Sequence, residues 1–133
     1  MDDPTLTDLS ARARAVARNA YAPASSFRVG VALRATDGQV FVGCNVENAS
    51  FGLTVCAERH AVGAAVAAGV RSFDAMVVYT PGSAPGYPCG ACRQVLAEFA
   101  PDLDIALIGD GGDVVHTSLT DLLPHTFRFD YDR

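Results

Sequence analysis

The chain has 133 residues, enough for one domain over residues 1–133, and half of them are apolar. All ten of its positive side chains are arginines, against 15 Asp and Glu, for a formal net charge of −5. The acidic balance argues against a nucleic-acid partner, and the lack of lysine excludes Schiff-base and P-loop lysine chemistry. No apolar run approaches the roughly 20 residues of a membrane-spanning helix, so we expect no membrane partner.

Helical periodicity is the first pattern along the chain. Residues 5–20 carry apolar side chains on one face and most of the nearby arginines elsewhere, which predicts an amphipathic helix. Two strands are predicted next, over residues 27–34 and 39–46. The Asp37-Gly38 pair between them favours a hairpin.

A helix over residues 56–69 is predicted to lie at a subunit interface. It is rich in Ala and apolar almost all round, and a domain this small has difficulty covering such a helix on every side. Gly63 and the alanines would also allow another backbone to approach closely.

Strands and helices alternate in the second half of the chain. Apolar runs over 74–79 and 104–108 predict strands buried on both faces, and residues 90–99 between them predict a helix. A last strand over 114–117 and a short helix over 119–123 follow. This order predicts a three-layer α/β/α sandwich with one mixed, mostly five-stranded sheet covered by helices on both faces.

Three of the four cysteines stand where a predicted helix begins. Cys56 opens the helix 56–69, and Cys89 and Cys92 lie in Pro-Cys-x-x-Cys spacing at the start of the helix 90–99. Free N–H groups and the helix dipole favour the thiolate there, which is the form that binds metals. Three thiolates on zinc leave one tetrahedral position open for water, as in catalytic sites. Glu58, two residues after Cys56, is placed to take a proton from that water and return it elsewhere.

These segments resemble the zinc deaminase signature, which is a ligand, any residue and Glu, followed later by Pro-Cys-x-x-Cys. Nearly the whole chain further resembles the small, homotetrameric cytidine deaminases. Besides the two cysteine segments, the matching stretches are Phe-Arg-Val-Gly at 27–30, Gly-Cys-Asn-Val-Glu-Asn at 43–48 and Leu-Leu-Pro at 122–124.

The resemblance implies a cytidine deaminase-like fold and zinc-dependent hydrolysis of cytidine and deoxycytidine to uridine and deoxyuridine, with release of ammonia, in pyrimidine salvage. It implies one zinc ion per subunit and a homotetramer with sites near the subunit interfaces. The cytoplasmic location that we expect rests instead on the sequence itself, because the acidic, polar amino terminus does not have the pattern of a secretory signal and clustered cysteines in the reducing cytosol more often bind a metal or take part in chemistry. The roles implied for single residues are zinc binding by Cys56, Cys89 and Cys92, proton transfer by Glu58, ribose binding by Asn45 and Glu47, pyrimidine packing by Phe27, recognition of the amino group by the Ala57 backbone, and a contact from Phe127 to a neighbouring subunit's site.

Arg59 is expected to support the metal without binding it. Three thiolates on a divalent ion leave a net charge of about −1, which weakens the ion as a Lewis acid. A hydrogen bond from Arg59 to a thiolate sulfur would draw electron density away from the metal.

Several alternatives remain open at this point. The nearest is a deaminase of a modified cytosine nucleoside, such as an aminoacylated nucleoside antibiotic. A non-catalytic zinc module would use Cys44 as a fourth sulfur, and His60, four residues after Cys56, offers another way to close the site. A polynucleotide-editing deaminase fits poorly, because the chain is acidic and has no basic groove.

Overall fold

The computed structural model describes residues 1–131, so the last two residues of the predicted 1–133 domain lie outside the described residues. The helices and strands are, in order, α1 (Asp3–Ala17), β1 (Gly30–Ala35), β2 (Val40–Cys44), a short 3-10 turn (Phe51–Leu53), α2 (Ala57–Ala67), β3 (Phe73–Tyr79), α3 (Gly90–Phe99), β4 (Asp104–Ile108), β5 (Val114–Ser118) and α4 (Leu119–Leu122).

The five strands form one mixed sheet in the order β2-β1-β3-β4-β5. Strand β3 pairs with β4 in parallel, and the other three pairings are antiparallel. Strands β3 and β4 are joined through α3, as expected for a parallel pair with a helical crossover. The predicted α/β class and the mixed five-stranded sheet are confirmed.

Alternate side chains of the strands face two separate cores. Helix α1 covers one face, where Leu9 and Ala13 pack against Val77 and its neighbours. Helices α2, α3 and α4 cover the other face, where Ala61 and Leu96 join the larger core. The sheet is therefore the middle layer of three. No helix within residues 1–131 has the length and apolar character needed to cross a membrane.

The first helix begins and ends earlier than the predicted 5–20. It begins at Asp3 because the Asp2 side chain caps it, accepting a hydrogen bond from the Thr5 N–H at 2.9 Å. It ends at Ala17 because the chain then turns so that the Tyr21 backbone can pair with residues 45–47. Tertiary pairing thus overrides helix propensity at this end.

The first strand begins at Gly30 rather than at residue 27, so that prediction was wrong by three residues. The backbone of residues 27–29 bonds to the side chain of Asn45 and not to a neighbouring strand. Helix α2 is also shorter than the predicted 56–69. Cys56 is its N-cap, and after Ala67 the chain passes into a left-handed turn at Gly69, whose φ is 84°.

Candidate active site

Three thiols meet where α2 and α3 begin. Cys56 is the N-cap of α2, Cys89 is the N-cap of α3, and Cys92 lies one turn into α3. The three sulfur atoms all lie within 4.8 Å of one another, and those of Cys89 and Cys92 are 3.5 Å apart. Since both caps are sulfur-bearing and neither makes a side-chain capping bond, the thiols are free to face a common point.

This triad fits a zinc ion. With Zn–S bonds of about 2.3 Å, tetrahedral geometry places ligand sulfurs roughly 3.8 Å apart, close to the spacing observed here. Within residues 1–131, the metal-binding group at this place contains only these three cysteines. Neither Cys44 nor His60 belongs to this group. The His60 ring instead contacts the backbone carbonyl oxygen of Cys44 through Nδ1, at 2.8 Å. A three-sulfur site with room for one more ligand is what the residues present can build.

Hydrogen bonds within the triad favour a thiolate at Cys56. Bonding from the Cys92 thiol, with further help from Arg59, lowers the pKa of Cys56 to about 5. The same contact with Cys56, together with burial, raises the pKa of Cys92. In the metal-free protein the Cys56 thiol therefore loses its proton easily, whereas the Cys92 thiol keeps its proton. This difference is expected where two negative charges would lie close together.

Arg59 lies against the triad, as predicted. Its Nη2 donates to the Cys56 sulfur and to the Thr54 carbonyl oxygen, both at 3.4 Å. Its buried Nε has no hydrogen-bond partner within residues 1–131. Buried polar groups normally have a hydrogen-bond partner, so this unpaired donor is an exception within the site.

Glu58 is the only buried acidic side chain along the described chain, with 5% of its surface exposed. It is the second residue of α2 and lies along the same cavity as Cys56. Burial raises the pKa of its carboxyl group, so the protonated form is favoured relative to an exposed glutamate. A carboxyl group in this state is suited to hold a proton and release it to a bound molecule.

A cleft of about 410 Å³ opens above the triad, a size suited to a small organic ligand. The predicted site residues that the structure brings together along its wall are Phe27, Asn45, Glu47, Cys56, Ala57, Glu58 and Cys89. The ring of Phe27 is 45% exposed and supplies apolar surface. The cleft thus combines an aromatic face, two of the three triad cysteines and polar side chains, while the third cysteine, Cys92, is buried behind its wall.

Asn45 and Glu47 bind the segment that carries Phe27. The Asn45 amide accepts from the Val29 N–H and donates to the Phe27 carbonyl, each at 2.8 Å. One carboxylate oxygen of Glu47 accepts two backbone N–H groups, and the other accepts the Ser25 hydroxyl. The Ser25 bond is the main reason that the pKa of Glu47 lies below its usual value, and it keeps this side chain ionised.

Phe127 does not reach the cleft of its own chain. Its ring is 68% exposed and packs edge-on against Phe129, with ring centroids 5.1 Å apart. Its carbonyl oxygen accepts a hydrogen bond from Gln94 on the outer side of α3. The predicted contact to a neighbouring subunit's site therefore remains a prediction.

Sequence reasoning missed several cleft residues. Tyr87, 56% exposed, lines the cavity directly before the Pro-Cys-x-x-Cys segment, and that position was the available signal. Thr80 lies at the end of β3, where its hydroxyl accepts a hydrogen bond from the Gly86 N–H at 2.7 Å. Nothing in the local pattern distinguished Thr80 from an ordinary strand end.

Known proteins resemble the whole arrangement. Residues 4–105 match the family described as the cytidine and deoxycytidylate deaminase zinc-binding region, and this range contains the sulfur triad and Glu58. A cytidine deaminase of Sporosarcina psychrophila is 45% identical over 120 residues, covering 90% of this chain and 88% of the relative. One from Halalkalibacterium halodurans is 47% identical over 109 residues, 81% of this chain and 83% of the relative.

The fold has a similarly clear counterpart. The crystal structure of a cytidine deaminase from Burkholderia pseudomallei superposes with a TM-score of 0.88 at 49% identity, covering 96% of this chain and all of the other.

Proposed function

The chain belongs to the cytidine and deoxycytidylate deaminase family, and on that premise we propose that its cleft hydrolyses cytidine and deoxycytidine to uridine and deoxyuridine with release of ammonia. The observation that carries this proposal is the meeting of three thiols and one buried carboxyl group at a cleft of nucleoside size, whose wall includes Cys56, Cys89 and Glu58. The enzyme is thus a zinc-dependent hydrolase of pyrimidine salvage.

Cys56, Cys89 and Cys92 would hold the zinc ion. When bound, zinc supplies a Lewis acid that lowers the pKa of water and so makes a nucleophile available near neutral pH. Arg59 donates to the Cys56 sulfur and withdraws electron density from it, which offsets part of the excess negative charge of three thiolates.

Glu58 moves the protons of the reaction. Its carboxyl group gives a proton to N3 of the pyrimidine, which makes C4 open to attack by the oxygen of water. Both protons of the attacking water then pass through Glu58: the first replaces the proton given to N3, and the second goes to the departing amino group, which leaves as ammonia as the C4 carbonyl forms. Burial supports this role because it favours the proton-bearing form of the side chain.

The remaining cleft residues bind and orient the nucleoside. The Phe27 ring packs against the pyrimidine, and the Ala57 backbone recognises the exocyclic amino group. Asn45 and Glu47 hold the Phe27 segment and use their unshared lone pairs and remaining N–H to bind the sugar hydroxyl. The sugar is uncharged, which suits polar side chains better than a basic patch.

The active form is a homotetramer with its sites near the subunit interfaces. The small residues on the outer side of α2 and the exposed rings of Phe51 and Phe127 support this assembly, because such apolar surface favours contact with another chain. Phe127 then reaches the cleft of a neighbour. Light scattering at micromolar concentration should give four chains per particle, whereas a stable monomer would overturn the assembly.

A reducing compartment such as the cytoplasm fits the chemistry of the site. All four cysteines are free thiols, and the triad binds metal only while it stays reduced. Oxidation would join two of its sulfurs and destroy the ligand set.

An ultraviolet assay tests the function. Purified protein should convert cytidine and deoxycytidine with loss of the cytosine absorbance and release of one ammonia per turnover, and chelation should abolish the rate until zinc is restored. Conversion of an aminoacylated cytosine nucleoside with neither plain nucleoside turned over would instead favour the modified-nucleoside deaminase.

A Cys44→Ser variant tests the non-catalytic alternative. Loss of bound zinc would favour a closed four-cysteine module, whereas full zinc content would leave the three-sulfur site in place. The structure favours the second result, because Cys44 lies outside the triad.

A further inference from the structure

A second cavity, of about 380 Å³, lies on the α1 side of the molecule and contains none of the residues given a role above. It opens between the last turns of α1, the segment before β1 and the end of β3. The residues that line it are Arg14, Ala17, Arg18, Ser26, Arg28, Tyr79 and Pro81. Three of the ten arginines of an acidic chain are therefore gathered in one pocket.

These three guanidinium groups form no close ion pair with a carboxylate in the described part of the chain. Within residues 1–131, none lies within 4.0 Å of an acidic oxygen, whereas Arg12 and Arg34 each pair with an aspartate. Arg14 lies over the Tyr79 ring, 5.2 Å from its centroid, and Arg28 donates weakly to the Arg18 carbonyl oxygen at 3.4 Å. Collecting unpaired like charges costs free energy, and a bound anion would remove that cost.

The carboxylate of Asp110 is close by but already engaged. It accepts hydrogen bonds from the Tyr79 hydroxyl at 2.6 Å and from the Gly82 N–H at 2.8 Å. These bonds hold it at the Tyr79 side of the pocket, where it interacts electrostatically with Arg14 but, within residues 1–131, forms no ion pair within 4.0 Å with any of the three arginines.

We propose that this pocket, formed by Arg14, Arg18 and Arg28, binds a small phosphorylated anion of nucleotide size. Guanidinium groups present flat pairs of N–H donors that match phosphate oxygens. The volume leaves room for an organic part or a second phosphate beside one phosphate group. The basic surface is confined to a pocket and does not form a groove, which separates this ligand from a nucleic acid.

One short segment forms the wall between this pocket and the active-site cleft. Ser25 and Phe27 line the cleft, whereas Ser26 and Arg28 line the arginine pocket. Ser26 has a φ of 58°, in the left-handed region that residues other than glycine rarely adopt. An anion bound to Arg28 therefore shifts the segment that carries Phe27. Occupancy of the arginine pocket then changes KM for the nucleoside in the cleft.

Isothermal titration calorimetry of the zinc-loaded protein tests the site with two probes, pyrophosphate and uridine monophosphate. Saturating uridine is present throughout so that neither probe reports on the cleft. The variants are Arg18→Ala and Arg28→Ala, which change exposed side chains, and the matched control is Arg71→Ala, an exposed arginine outside the pocket. Because binding is measured directly, the test of the anion site does not depend on the proposed deaminase activity, and only the link to KM rests on that activity.

The expected result is binding by the wild type and by Arg71→Ala, weakened roughly tenfold in each pocket variant and further by added salt. Tighter binding of uridine monophosphate than of pyrophosphate identifies a nucleotide, and the reverse identifies the phosphate groups alone. No binding at millimolar probe, or equal affinity in all four proteins, overturns the site. Binding that leaves KM for cytidine unchanged overturns the link to the cleft.

Discussion

The Asn45 side chain forms hydrogen bonds at both ends of the Phe27–Val29 segment. Its Nδ2 donates to the Phe27 carbonyl oxygen at 2.8 Å, and its Oδ1 accepts a hydrogen bond from the Val29 N–H. Asn45 is 9% exposed, so these bonds are partly shielded from water. The residue that was expected only to contact the sugar therefore also fixes the aromatic wall of the cleft.

Asn45→Ala should loosen that wall. Loss of two hydrogen bonds is expected to cost about 1–3 kcal/mol in the free energy of unfolding. The misplaced Phe27 ring should lower kcat/KM for cytidine by roughly 10–100-fold. Urea denaturation and steady-state kinetics check both, with exposed Asn19→Ala as the control. An Asn45→Ala enzyme that matches this control in both measurements would show that the two bonds do not position Phe27.

The Ser25 hydroxyl should control the ionisation of Glu47. Its bond is the main cause of the lowered pKa of Glu47, so folding favours the ionised form. That contribution is present above the ordinary value of 4.5 and is lost as pH falls through the lower folded value. Ser25→Ala should move the pKa of Glu47 up toward 4.5.

Carbon-13 NMR checks this readily, because the chain has only three glutamates. Ser72→Ala, at an exposed serine distant in sequence, is the control. A Glu47 titration that is the same in both variants would contradict the assignment.

Gly43 should be required for the seating of α2 on the sheet. A Cβ atom at this position would lie 2.4 Å from the Ala57 carbonyl oxygen and 2.5 Å from the Ala61 nitrogen, both backbone atoms that cannot turn aside. Gly43→Ala is therefore expected to lower the free energy of unfolding by about 1–3 kcal/mol and to displace Cys56 from the triad. Thermal unfolding and zinc content measure the two effects. Gly112→Ala, where a Cβ meets open space, should change neither.

Arg59→Ala should weaken the metal site without removing a ligand. The lost bond to the Cys56 sulfur is expected to lower zinc affinity or turnover by roughly 10–100-fold. Competition with a chromogenic chelator gives the affinity, and Arg71→Ala serves as the control. Unchanged affinity together with an unchanged rate would remove Arg59 from any role at the metal.

Much of this architecture was predictable from local pattern. The helix over 90–99 and the strand over 104–108 agree with the structure residue for residue. Apolar periodicity and a following proline mark the helix, and a short continuous apolar run marks the strand. The cysteine spacing likewise indicated that the starts of two helices would meet, and they do.

The predicted and observed elements differ where a side chain from a distant segment forms hydrogen bonds with the backbone. Residues 27–29 look like strand in sequence, yet Asn45 takes their hydrogen bonds and β1 begins only at Gly30. The arginine pocket was equally invisible, because Arg14 and Arg28 lie on different segments and only folding brings them together.

The most direct test of the account is the Glu58→Gln variant, assayed for zinc and for deamination of cytidine in the same preparation. Gln has the shape of Glu but cannot carry the proton, so zinc should stay at one ion per chain while kcat falls by roughly 10²–10⁴-fold. Full zinc content with turnover near that of the wild type would contradict the role of Glu58 and, with it, the proposed reaction.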